Sequence, residues 1–473
     1  MIRPLLASFT VLAVLVTSAT AQTPAAPPAA GTQAFTLQAA LEYAIDHYPA
    51  IRAALEQVNV STAGLTAAQS AYLPRLDSVL QMNRATVNNV TGPLLPQSVI
   101  PGISGPPLPS GSSQSAWGTA AGALFSWEPF DFGLRQAGVL GAQAAATRAR
   151  ADASLTRLEV QSAVGAAFLA VVQAEQALVA TQADVARREV LARVARTLAD
   201  NQLRPGAEAS RANAERAAAE TRAILARQTL VLAQATLARV LGVTTGPVTV
   251  RAAGLLGLAP SGSGGGDAAG SHPLALAREA AVDVARTQEE VLAHTDRPRV
   301  YLQTALFARG SGASFNGVFD GGASGLGFDR ANWATGVQVV LPNLFDGMSL
   351  RARRAAAAAA TRAEAARYDE AVLMVASQQQ VAAAMVDAAR AVAASTPVQL
   401  AAARQSEAQA SARYRAGLAS IVEVADTQGL LAQAEYQDAA ARIEVWRTLL
   451  ADAVAHGDLT PFVNLVSSSG GVR

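Results

Sequence analysis

Apolar positions near the start of the chain fall three and four apart: Leu37, Leu41 and Ile45, then Ile51, Leu55 and Val58. That period puts them on one face of a helix, and Pro49 divides the run into two helices. From Leu76 the period becomes two, with Leu76, Ser78, Leu80 and Met82 at alternate positions, as in a strand. A Pro- and Gly-rich loop from Gly92 to Gly111 leads to a second strand around Trp117 to Trp127. The pattern predicts strands over about 72–90 and 115–131, then alanine-rich helices over about 134–202 and 207–242.

The same order is then written again. Pro49 and Pro74 stand 25 residues apart, and Pro273 and Pro298 repeat that spacing. Strands are predicted over about 299–310 and 332–346, where Val337, Val339 and Leu341 alternate with Gly336, Gln338 and Val340. Pro129-Phe130-Asp131-Phe132-Gly133 closes the strands of one copy and Pro342-Asn343-Leu344-Phe345-Asp346-Gly347 those of the other. Long helices follow over about 348–416 and 418–456. The two copies span 35–250 and 271–462, with a Gly-Ser linker at 251–270 and a tail at 463–473. At 1.5 Å per residue the longer helix of each copy would reach about 100 Å. Pro397, without counterpart in the first copy, predicts a kink or break.

Composition changes this picture at the N-terminus. Arg3, an apolar core from Leu5 to Val16 and Ala19-Thr20-Ala21 read as a secretory signal over 1–21, followed by a flexible Pro- and Ala-rich segment at 22–34. Cysteine is absent, which excludes disulfides and a thiolate metal site. A net charge of +1 argues against nucleic acid. Alanine supplies much of the 51% apolar content, and beyond the N-terminus no stretch reads as both charge-free and apolar enough to span a bilayer. His47, His272, His294 and His456 are scattered, and no nucleophile elbow, zinc-helix or Walker motif occurs, so no enzyme, metal or cofactor is expected.

Aromatic residues gather in the hairpins: Tyr72, Trp117, Phe125, Trp127, Phe130, Phe132, Tyr301, Phe307, Trp333 and Phe345 lie in or beside them. Rings at the ends of alternating strands suit a membrane β-barrel, and also the core of a soluble sandwich. Four strands cannot close a barrel in lipid, so a membrane reading requires oligomerisation.

The repeated Pro-to-Pro spacing, the strand-end motifs and the turns at Arg204-Pro205-Gly206-Ala207 and Arg415-Ala416-Gly417-Leu418 together resemble the TolC family of outer-membrane efflux proteins. The resemblance runs from Phe35 to about Phe462. It implies a mainly α fold with a small membrane β-barrel part: a homotrimer whose protomers give four strands each to one 12-stranded barrel, continued by an α-helical barrel in the periplasm. It implies outer-membrane lipid, a periplasmic adaptor and an inner-membrane transporter as partners. It also implies a passive duct in efflux or type I secretion. The adaptor-docking tips would be Leu203, Arg204, Pro205, Gly206 and Ala207 with Arg415, Ala416, Gly417 and Leu418. The entrance gate would use Glu423 and Asp426, three apart on one helix face, with Glu208 and Arg211 in the related places of the first copy. The latch arginine of this family has no counterpart, since Ala419 stands there. The alternative is a soluble periplasmic coiled-coil scaffold or an adaptor protein.

Overall fold

The computed structural model describes residues 33–86, 98–100, 113–244, 248–252, 254–257, 269–312, 323–342 and 346–469. The signal segment, most of 22–34, the glycine run of the linker, both long hairpin loops in large part, and Asn343 to Phe345 lie outside them. A short strand β1 (Gln33–Phe35) precedes helices α1 (Leu37–His47) and α2 (Pro49–Ser70). Thr36 caps α1 by accepting the N–H of Ala39, and Pro49 opens α2 where its missing N–H has no intrahelical partner to lose. Strands β2 (Arg75–Thr86) and β3 (Ser115–Phe130) lead to helices α3 (Leu134–Asp200) and α4 (Gly206–Leu241), followed by strand β4 (Val248–Val250).

The second copy follows a 3₁₀ turn at Ala269–Ser271. It comprises α5 (Pro273–His294), β5 (Arg299–Ser311), β6 (Arg330–Val340), α6 (Gly347–Arg415) and α7 (Ile421–His456). His272 caps α5: its Nδ1 accepts the N–H of Leu274 at 3.1 Å, and its Nε2 donates to the Val454 carbonyl at 3.0 Å. Gly242 and Gly457 end α4 and α7 in the left-handed region, and a Cβ at Gly457 would lie 2.5 Å from the Pro273 ring.

Three regions differ from the sequence pattern. Residues 33–34 are not a loose lead-in, because β1 pairs in parallel with β4 next to the linker. The tail is partly helical: α8 (Thr460–Ser469) buries Phe462 edge-on against Trp446, with ring centroids 6.3 Å apart. Pro397 does not break α6, which is helical throughout. Beside it, buried Thr396 donates to Asp438 of α7 at 3.0 Å, and Arg442 grips the same carboxylate at 2.9 Å, so the neighbouring helix holds the segment through the missing bond.

The four long strands form one antiparallel sheet in the order β2-β3-β5-β6, with β2 and β6 as unpaired edges. Register separates its faces. One carries Leu76, Leu80, Met82, Phe125, Leu302, Leu306, Trp333 and Val337; the other carries the polar Asp77, Gln81, Asn83, Ser126, Gln303 and Asn332, with an apolar cluster of Val79, Leu124, Ala305 and Phe307 among them that packs with Val99 and Ile100. At the end where the strands meet the helices, Asp131 receives the N–H groups of Gly133 and Arg135 and the Arg135 guanidinium. Burial would raise its pKa, but these bonds outweigh that and hold the carboxyl below the usual carboxylate range.

Helix α3 is the spine, packed on α2, α4, α5 and α7, whereas α6 packs on α5 and α7 alone among the long helices. The main core lies where α1, α3, α4 and α7 converge, around Phe168, Leu169, Val172, Leu241 and Trp446. By length and composition alone α3, α4 and α6 are apolar enough to cross a membrane, contrary to the expectation from the sequence. Their apolarity is largely alanine, whose small side chain suits close helix packing.

Candidate functional site at the helical tips

The two helical hairpins end in turns that carry the predicted tip residues. In the first, Asn201 caps α3 and Gln202 takes the left-handed conformation at φ +62°. Leu203 is 69% exposed and Pro205 occupies the N-cap of α4, which begins at Gly206. The glycine is thus the first helical residue, and a glutamine carries the backbone strain. In the second turn Gly417 takes φ +78°. The N–H of Leu418 bonds back to the Arg413 carbonyl at 2.8 Å, and Leu418 is 71% exposed. Ser420 caps α7 by accepting the N–H of Glu423, so that helix starts at Ile421 rather than 418.

Side chains tie one tip to the other. The Arg204 guanidinium lies 5.4 Å from the Tyr414 ring centroid, 3.6 Å from Glu208, and donates to the Ala419 carbonyl at 3.4 Å. Tyr414, 2% exposed at the end of α6, donates its hydroxyl to Glu208 of α4 at 3.1 Å. Burial, and then the bond to Glu208, push the Tyr414 hydroxyl up to about 12, so it stays a neutral donor at ordinary pH. The position of Ala419 therefore receives an arginine after all, from the opposite turn. Sequence reasoning missed Tyr414. Its signal was an aromatic ring one residue before the turn in an alanine-rich helix.

The predicted gate residues do not form one acidic cluster within the chain. Glu423 accepts from Arg413 at 2.7 Å, and Glu208 is taken by Tyr414 and Arg204. Asp426 and Arg211 are exposed and make no ion pair or hydrogen bond among the described residues. Ala207, Arg415 and Ala416 are also exposed at the tips.

Above the tips the hairpins are stitched by charge. Arg188, 4% exposed on α3, lies 3.0 Å from Asp184 and 2.8 Å from Glu215 of α4, while Arg222 of α4 reaches Asp184 at 3.0 Å. Arg187 clasps Glu435 of α7 at 2.8 Å, joining the first hairpin to the second. Such buried charges hold only while paired.

Comparison with known proteins agrees with this architecture. No curated protein matches the chain in sequence. The structure resembles the outer membrane protein VceC from Vibrio cholerae, with a TM-score of 0.69 at 19% identity, covering 89% of this chain and 96% of that one. It also resembles the Campylobacter jejuni CmeC outer membrane channel, with a TM-score of 0.69 at 13% identity and coverage of 92% and 90%. The open state of the Neisseria gonorrhoeae MtrE outer membrane channel gives 0.66 at 18% identity, with 89% of each chain covered. These identities are low, and the likeness is one of fold. The family described as outer membrane efflux protein matches residues 40–243 and 266–451, one stretch for each copy. The chain belongs to this family: it is a non-enzymatic, TolC-type outer-membrane efflux channel.

Proposed function

We propose that three copies of the chain form one passive duct, closed at rest at the helical tips and opened when a periplasmic adaptor and an inner-membrane transporter engage them. The observation that carries this reading is the pair of unfinished edges. Strands β2 and β6 each lack a partner on their outer side among the described residues, and an open edge is not tolerated in lipid, so β6 of one copy pairing β2 of the next would close 12 strands from three four-stranded sheets. The helical layer is unfinished in the same way. Ile224, Leu225, Val231 and Leu232 of α4 and Leu373, Val381, Met385, Val392 and Val398 of α6 are exposed apolar residues on the two outermost long helices. Joining these different surfaces head to tail, with a rotation that closes, makes a ring.

At the entrance, the bonds from Arg204 and Tyr414 to Glu208 and from Arg413 to Glu423 act as latches within each protomer. Asp426, without an ion pair or hydrogen bond among the described residues, gives three carboxylates in the trimer and favours cation entry. Arg211, exposed on α4, faces the neighbouring copy or the lumen. Leu203 and Leu418, with the turns that bear them, form the apolar docking points for the adaptor. The transported solute leaves by the barrel, in tripartite efflux or type I secretion.

Native mass spectrometry of the detergent-extracted protein tests the assembly. A trimer is expected; a monomer in the outer-membrane fraction would overturn the shared barrel. In planar bilayers, Asp426→Asn is expected to reduce cation preference, and unchanged selectivity would remove that residue from the gate.

A further inference from the structure

Near the end of the sheet remote from the helices, Arg309 of β5 stands directly opposite Arg330 of β6. Directly opposed residues of an antiparallel pair share a face, and like charges there repel. Their rung continues through Ala120 to Gln81, which places both arginines on the polar face rather than on the face of Leu80, Leu306 and Trp333. Neither guanidinium makes an ion pair or hydrogen bond among the described residues. Asp329 precedes Arg330 in the chain but, among the described residues, pairs with neither arginine, and Asp77, farther down the same face, is held by Arg75 at 3.2 Å. Arg84, at the same end, serves as a contrast. It lies on the other face, 5.6 Å from the Trp117 ring centroid, and donates to Ser115.

The two guanidinium groups on adjacent strands have ten N–H donors and, among the described residues, no partner. An oxyanion between them would remove the repulsion and accept from both forks. We propose that Arg309 and Arg330 form an anion-binding station that takes phosphate- or carboxylate-bearing solutes near the outer mouth. Its place inside the duct rests on the trimeric barrel proposed above, with the face of Gln81 and Asn83 turned inward; the pairing of the two arginines does not. The duct then carries opposite signs at its ends, with Asp426 at the entrance and this pair toward the exit. A solute bearing both charges meets an attractive group at each end.

Calorimetric titration of the full-length detergent-solubilised protein with pyrophosphate tests the station. Saturable binding is expected, weakened at least about tenfold by Arg309→Gln or by Arg330→Gln and unchanged by Arg84→Gln. Absence of saturable binding up to about 10 mM pyrophosphate, or equal loss in Arg84→Gln, would overturn it. Pyrophosphate added on the outer side of a planar bilayer is expected to reduce wild-type current and to spare the Arg309→Gln/Arg330→Gln variant. Binding without any effect on current would remove the station from the lumen. A chain that binds pyrophosphate yet forms no channel would instead refute the duct and leave the anion site standing.

Discussion

The α3–α4 hairpin is closed by buried charge, with Arg188 held between Asp184 and Glu215 and Arg222 reaching in from the second helix. The α6–α7 hairpin is closed differently. Thr396 and Arg442 meet on Asp438, Gln399 bonds Gln437, and a small apolar cluster of Leu400, Leu431 and Ala434 fills the seam. The first hairpin also contributes the spine helix, packed on α1, α2, α4, α5 and α7, while α6 lies at an edge. A helix pair pinned by buried charges that cross it moves only by breaking them, which is costly; in the α6–α7 seam the ion pair that crosses, among the described residues, is Arg413 with Glu423 at the tip. On the duct reading proposed above, the first copy is the anchor and the second the part that moves when the tips are released.

The strongest way to break this comparison is to remove the charge at its centre. Arg188→Met leaves Asp184 and Glu215 without their shared partner, and a loss of about 3–5 kcal/mol is expected in denaturant titration. A loss under about 1 kcal/mol would show that the first hairpin is not anchored by charge. Pro397→Ala probes the mobile side. Restoring the absent N–H to α6 is expected to stabilise the protein by up to about 3 kcal/mol and to reduce opening in bilayer recordings. No gain would mean that the contact of Thr396 with Asp438 already absorbs the proline.

The latch between the hairpins is the next test. Tyr414→Phe keeps the ring against Arg204 and removes only the bond to Glu208, at a cost of about 0.5–1.5 kcal/mol, so resting conductance should rise by up to about tenfold. Its pH dependence follows from the raised hydroxyl. Tyrosine ordinarily titrates near 10. With the latched group pushed up to about 12, the latched state keeps its proton across that interval while the released state loses it. The contribution is fully present below about pH 10 and is lost as pH rises toward 12. Wild-type channels should therefore open in that window and Tyr414→Phe channels should not; identical alkaline profiles would exclude the tyrosine.

The smallest effect separates the two turns. Gln202 holds a left-handed conformation that glycine adopts without penalty, so Gln202→Gly is expected to stabilise the first tip by roughly 0.5–1 kcal/mol. Gly417→Ala should destabilise the second by a similar amount, since the space around it is open and only its φ forbids a side chain. Differential scanning calorimetry of the two variants reads both signs.

Much of the fold was legible because its devices are local. Pro49 and Pro273 open helices, Pro74 and Pro298 precede strands, and alternation from Leu76 to Met82 marks one face of a sheet. Other features were hidden because they arise between distant segments. Pairing of β1 with β4, docking of α8 on Trp446, and passage of α6 through Pro397 all depend on a neighbour more than 15 residues away in the chain. The turns themselves were legible in the sequence, yet the partner of Glu208 comes from α6, and Glu423 accepts from Arg413 of the same hairpin, contacts that no local pattern signals.

The sequence by itself determined the duplication, the succession of strands and long helices, and the places where the chain turns, since propensity, period and proline geometry act over a few residues. Only the tertiary structure decided which charges are spent on one another and which remain free. Arg188 is consumed by Asp184 and Glu215, and Arg204 by Glu208 and Tyr414, while Asp426, Arg309 and Arg330 make no ion pair or hydrogen bond among the described residues. The physical reason is that a charge's role is set by what lies within a few ångströms of it, and in this chain those neighbours come from the other hairpin or the next strand.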